Sequence, residues 1–159
     1  MVILFPAGSI LVRVLPGPFA LWCHAIAQLV AICVFIAAFA LGVHLVREVR
    51  LPVGDGSIMS NSSTSYHPII GIVVLACLLF QPWLGYMHHA GFKKVQGRQI
   101  WSYLHMFNGR VFITLGIVNG GLGLWMAGAS QKLKTAYIAV SVSMWSLWML
   151  AALWGEWQR

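Results

Sequence analysis

The chain has 159 residues, of which 60% are hydrophobic and only 8% charged, against roughly 25% charged in a soluble domain. That leaves too little polar side chain to coat a water-exposed surface, so the composition predicts a polytopic membrane protein. The net charge of +7 sits in short segments between apolar runs, where topology-setting lysines and arginines stand, and is not read as nucleic-acid binding.

The expected fold class is all-α: one membrane-embedded helical bundle over residues 1–159, with four full transmembrane helices and an N-terminal half-helix. The first segment, MVILFPAGSILV, is apolar but ends at Arg13 and LPGP. About a dozen residues are too few to span, and no basic region precedes them as in a secretory signal. The segment over 1–14 reads as the second half of a transmembrane helix. Four runs then approach the roughly 20 residues that a bilayer core needs: Ala20–Val46, Pro68–Met87, Trp101–Ala127 and Thr135–Trp154. Trp22, Trp83, Trp101 and Trp154 stand near their ends as interfacial anchors, and Pro68 suits a first helical turn.

Between the runs, one loop holds Lys93, Lys94 and Arg98. Another holds Arg47 and Arg50 against Glu48 and Asp55, with the sequon Asn61-Ser62-Ser63. Positive-inside places the first in the cytoplasm, and a usable sequon places the second outside. Cys23, Cys33 and Cys77 fall inside apolar runs as inert packing residues rather than disulfides. The acids Glu48, Asp55 and Glu156 all fall in loops or at the end.

Three histidines open stripes at steps of three and four residues. His24 leads to Gln28, Ala31, Phe35, Ala38 and Gly42. His67 leads to Gly71, Val74, Leu78, Gln81 and Gly85. His105 leads to Gly109, Phe112, Gly116, Asn119, Gly120 and Gly123. Small residues at this spacing serve helix packing, and GIVNG is itself a GxxxG match. An ionisable side chain at membrane depth is costly and usually functional, and imidazole is a common haem ligand. His24 and His105 each lie about four residues from the inner end of their helix, roughly 6 Å deep on one side. Two imidazoles at matched depth can hold one flat macrocycle from both faces, with Gly109 leaving room for its edge. Arg110 fits a haem propionate or snorkelling to the headgroups. His44 faces away and reads as interfacial. His88 and His89 read as a solvated helix end, or as a contact for a cofactor edge or redox partner.

The segments FPAGSILVR, WCHAIAQ, HPIIGIVVLACLLFQPWLGYMHH and WSYLHMFNGRVFITLGIVNGGLGL together resemble the transmembrane domain of the cytochrome b561 family, the fungal type found after DOMON domains. The resemblance covers nearly the whole chain and is weakest after Gly128. It implies two haem b groups in a four-helix core, one near each membrane face. The implied activity is transmembrane electron transfer from ascorbate or a linked haem domain to monodehydroascorbate or ferric iron. His24 and His105 then match the inner haem pair, and His67 matches one outer ligand. The family's remaining ligand would stand on the first helix, before Met1. The resemblance thus implies a complete inner site and an outer site lacking one ligand.

A transporter or proton pathway commonly uses intramembrane acids, and none is read in these spans. A membrane zinc hydrolase lacks its HExxH. The other reading kept is a truncated structural membrane protein without its full haem complement. A cysteine placed at Ser60 is expected to react with an impermeant thiol reagent on sealed right-side-out membranes. Labelling only after permeabilisation would reverse the topology.

Overall fold

The structure, a computed structural model, describes residues 1–48 and 65–158. Arg50, Asp55, Ser60 and the sequon lie outside the described residues. The described elements are six α-helices: α1 (Leu4–Val14), α2 (Gly17–Glu48), α3 (Tyr66–Leu79), α4 (Gln81–Val95), α5 (Ile100–Met126) and α6 (Gln131–Trp157). Four stretches are long and apolar enough to cross a membrane: Gly17–Glu48, Tyr66–Val95, Ile100–Met126 and Gln131–Trp157. Large apolar side chains face outward along them, including Leu29 and Val34 on α2, Ile72 on α3 and Leu150 on α6. In water that surface would associate; in lipid it is solvated. The protein is an integral, multi-pass membrane protein built as a helical bundle.

Three of the spans run past both expected ends, and α5 starts and ends one residue earlier than expected. Ser130 caps α6, its Oγ accepting from the Leu133 N–H at 3.4 Å, so the polar turn before Thr135 is helical. The second span runs from Tyr66 to Val95 with a break at Phe80. Pro82, in the first turn after the break, has no N–H to continue the ladder. Lys93 and Lys94 therefore stand in the last turn of α4, not in a loop. Trp83 lies well inside the span, edge-on to Trp101 at 5.3 Å between ring centres. α5 opens with a reciprocal cap between Gln99 and Ser102 and ends before Gly128, whose φ of +62° suits a residue without a Cβ.

α1 packs on α2 and α6, α2 on α3, α3 and α4 on α5, and α5 on α6. One core joins them through Phe5, Ala31, Ile32, Val74, Leu78, Ile113, Ile117 and Trp148. Cys33 faces outward rather than into this core.

The approach of α5 to its neighbours is set by glycines. A Cβ at Gly123 would lie 2.6 Å from Cε1 of His67. Gly123→Ala is expected to destabilise the bundle by about 1–3 kcal/mol through overpacking. Gly42→Ala, with nothing within 4 Å, should not. Thermal unfolding of both variants in detergent checks the contrast.

Candidate functional site

His24, in the second turn of α2, points its Nδ1 at the Gly8 carbonyl of α1, 2.8 Å away. A carbonyl only accepts, so Nδ1 carries the proton and a neutral ring keeps its lone pair on Nε2. Gln28, one turn on, donates to the Phe5 carbonyl at 3.0 Å and to Ser9 Oγ at 3.1 Å. α1 thereby fixes His24 and Gln28 of α2.

His105 reaches toward His24 from α5. Their ring centres are 6.5 Å apart with planes at 84°. His88 stacks on His105 at 5.9 Å and 11°, and its Nδ1 meets Ser102 Oγ at 2.7 Å. His89 adjoins His88 at 4.8 Å. His88 and His89 are thus half-buried members of a four-imidazole cluster, not a solvated helix end. Adding the α4 segment beyond Met87 to the bundle brings them inward.

All four rings line a cavity of about 460 Å³, with Gly85, Gly109 and Ile113 among its walls. Its volume is that of a small-molecule site, roughly 300–1,000 Å³. Arg13, Lys93, Arg98 and Arg110 also border it.

Within the protein, Arg110 pairs with an acid of α6. It donates to Glu156 Oε1 at 3.3 Å, and Arg98 donates to Glu156 Oε2 at 2.6 Å. Glu156 is not a loose end, because α6 stays helical to Trp157 and carries the carboxylate to the cavity's rim. Arg13 donates to the Ala152 carbonyl of the same helix at 3.1 Å.

His67 lies at the other end of the α3–α5 contact. From His105 to Asn119 is 14 residues of α5, roughly 21 Å at 1.5 Å per residue. The His67 Nδ1–H faces two oxygens of Asn119, the carbonyl and Oδ1, each at 3.1 Å. Asn119 Nδ2 in turn donates to the His67 carbonyl at 3.1 Å. Asn119 is therefore a partner of His67, not of the cavity. Among the described residues no second histidine ring stands against His67. His44 is exposed near the end of α2.

Gly109 lines the cavity and also receives a side chain from α4. The side chain across from it is that of Gln81, whose Nε2 donates to the His105 carbonyl at 3.1 Å. His105 in turn lies against Gly85, where a Cβ would sit 3.3 Å from its Cε1. The same exchange occurs at the other end, with His67 against Gly123 and Asn119 against Gly71. The two sets are His67, Gly71, Gln81, Gly85 and His105, Gly109, Asn119, Gly123. Numbers 67 to 105, 71 to 109, 81 to 119 and 85 to 123 each differ by 38. α3–α4 and α5 thus carry one polar pattern twice, and in the antiparallel pair each copy seats on the other. Gln81 and Gly85 belong to the site through this repeat, and the constant spacing is the signal that finds them.

No family model, curated protein or solved structure matches the chain.

Asn119 is buried and satisfies the polar atoms of the half-buried His67. Asn119→Leu is expected to cost about 1–3 kcal/mol, because it strands buried polar groups. Adding His67→Leu should cost less than the sum of the single changes. A double-mutant cycle of unfolding in detergent checks this; strict additivity would separate the two residues.

Proposed function

We propose that the protein is an electron-transfer protein that holds one haem b between His24 and His105. The carrying observation is that pair, brought together at one cavity from α2 and α5 with their rings edge-on. The 6.5 Å between ring centres brings both imidazoles within reach of one group bound in the cavity. The bond from His24 to Gly8 is the outer-sphere contact that orients a metal-binding histidine and keeps Nε2 free. Gly85 lets the His105 ring lie close to α4. The four cations bordering the cavity suit the carboxylates of a porphyrin. The resemblance to the cytochrome b561 domain supports the same reading.

Bound there between His24 and His105, haem would supply reversible one-electron exchange. The chain's own residues would do the rest. His24 and His105 bind and orient. The apolar walls around Ile32, Leu78 and Ile113 keep water out. Lys93 and Arg98 draw an anionic donor or acceptor to the mouth. Positive-inside puts this mouth at the cytoplasmic face. Ascorbate or a haem domain as donor, and monodehydroascorbate or ferric iron as acceptor, are the partners the resemblance implies.

The same reading gives close to one haem per chain. His67 is held by Asn119 and Gly123 and has no facing imidazole among the described residues. A structural role without haem is the competing reading, favoured by how fully protein side chains fill the glycine positions of α5.

Purified protein is expected to show the sharp reduced-state bands of low-spin haem, at one haem per chain by pyridine haemochrome. His105→Ala should abolish the bands or make them high-spin, and His44→Ala should leave them alone. Absence of haem bands, or a spectrum unchanged by His105→Ala, would overturn the assignment.

A further inference from the structure

The repeated pattern makes a comparison possible inside one molecule. At the His67 end, the amide opposite closes two bonds: Asn119 Nδ2 donates to the His67 carbonyl, and the His67 Nδ1–H donates to Asn119 Oδ1. At the His105 end the first bond has its counterpart, from Gln81 Nε2 to the His105 carbonyl. The second does not. Gln81 Oε1 and His105 Nδ1 are both buried without a hydrogen-bond partner. One is an acceptor, the other becomes a donor in one tautomer, and the Gln81 amide is already anchored on His105. Two complementary orphans on one pair of residues cost more apart than joined, because neither has water to turn to.

We infer that Gln81 is a positioning residue for His105: its Oε1 takes the His105 Nδ1–H, which fixes the tautomer that presents Nε2 to the cavity. The Gln81 main-chain carbonyl also lies beside the His105 ring. It makes no hydrogen bond to Nδ1, whereas the side-chain oxygen is buried without any partner, so the side-chain oxygen is the acceptor left to satisfy. His24 reaches the same tautomer through the Gly8 carbonyl. Both rings then turn Nε2 to one space, each with its Nδ1–H tied to protein. An acceptor on Nδ1–H raises the basicity of the opposite nitrogen as a metal ligand.

The inference rests on the haem reading only for its redox consequence, so it is tested at two levels. The tautomer is read without haem, from long-range proton–nitrogen NMR of full-length protein labelled with ¹⁵N-histidine in detergent micelles. His105 is expected to carry its proton on Nδ1. Gln81→Met should release it to the mixed or Nε2–H form, and Gln81→Asn, the residue at the paired position, should retain it. In haem-loaded protein, Gln81→Met is expected to favour the reduced state by about tenfold, roughly 59 mV for a one-electron couple, because the ligand becomes a poorer donor to ferric iron. Gln81→Asn should stay near the parent potential. An Nε2–H tautomer in the parent protein overturns the inference by itself, whether or not Gln81→Met folds. So does a Gln81→Met variant with tautomer and potential unchanged, which would make the main-chain carbonyl the acceptor. Loss of haem from the parent would sink the haem reading alone and leave the tautomer to decide this one.

Discussion

Lipid offers polar side chains no hydrogen bonds, so polarity carried into a span has to be met by another helix. Here the α3–α4 span and α5 meet that demand reciprocally. Each brings a histidine, an amide and two glycines to the contact, and the glycines of one receive the polar groups of the other. A glycine inside a helix costs up to about 1 kcal/mol against alanine. That cost is offset only where the missing Cβ lets something approach, and the approach of His105 to Gly85 and of His67 to Gly123 is such a place. Asn108 adds a further tie, donating to the Cys77 carbonyl at 2.8 Å, and Tyr137 from α6 reaches the Ile117 carbonyl at 2.6 Å.

One repeated pattern nonetheless produces two different ends. Asn119 is one methylene shorter than Gln81, and it closes both bonds to its histidine. Gln81 closes one. At the Asn119 end the amide and imidazole satisfy each other. At the Gln81 end α1 and α2 bring His24 across from His105, and the space between is a cavity rather than a packed seam. The added histidine and the space beside it thus separate a structural polar pair from a site with two facing imidazoles.

The spans were legible because apolar runs near 20 residues have few other uses. Their ends were not, since Gln131, Lys132, Lys93 and Lys94 are good helix formers that hydropathy assigns to loops. The meeting of His24 and His105 was legible from depth alone: both lie about a turn from same-side ends, and a bundle brings such positions to one level. Periodicity shows which face carries a glycine, not which helix stands opposite. Gly109 therefore read as space for a cofactor edge, although Gln81 lies across from it. The partner of Arg110 lies 46 residues away, on a turn of α6 whose Trp, Gly and Glu resemble a chain end. Such a pairing needs the three-dimensional contact to be seen.

Glu156 then bears on how the cavity works as a charged mouth. It is one carboxylate between Arg98 and Arg110, both of them part of the lining, with Arg13 and Lys93 in the same border. Four cations against one acid leave the mouth positive, and a low-dielectric wall on its inner side strengthens that field. Glu156 also ties the end of α6 to α5 and to the α4–α5 connection, so the cations are spaced by the fold rather than free to collapse on an incoming anion. At the His67 end the polar groups are an imidazole–carboxamide pair. The two ends of the α3–α5 contact are therefore unequal in charge as well as in space. An anionic group approaching the bundle meets attraction, room and paired imidazoles together at the His24–His105 end, and none of the three in combination at His67.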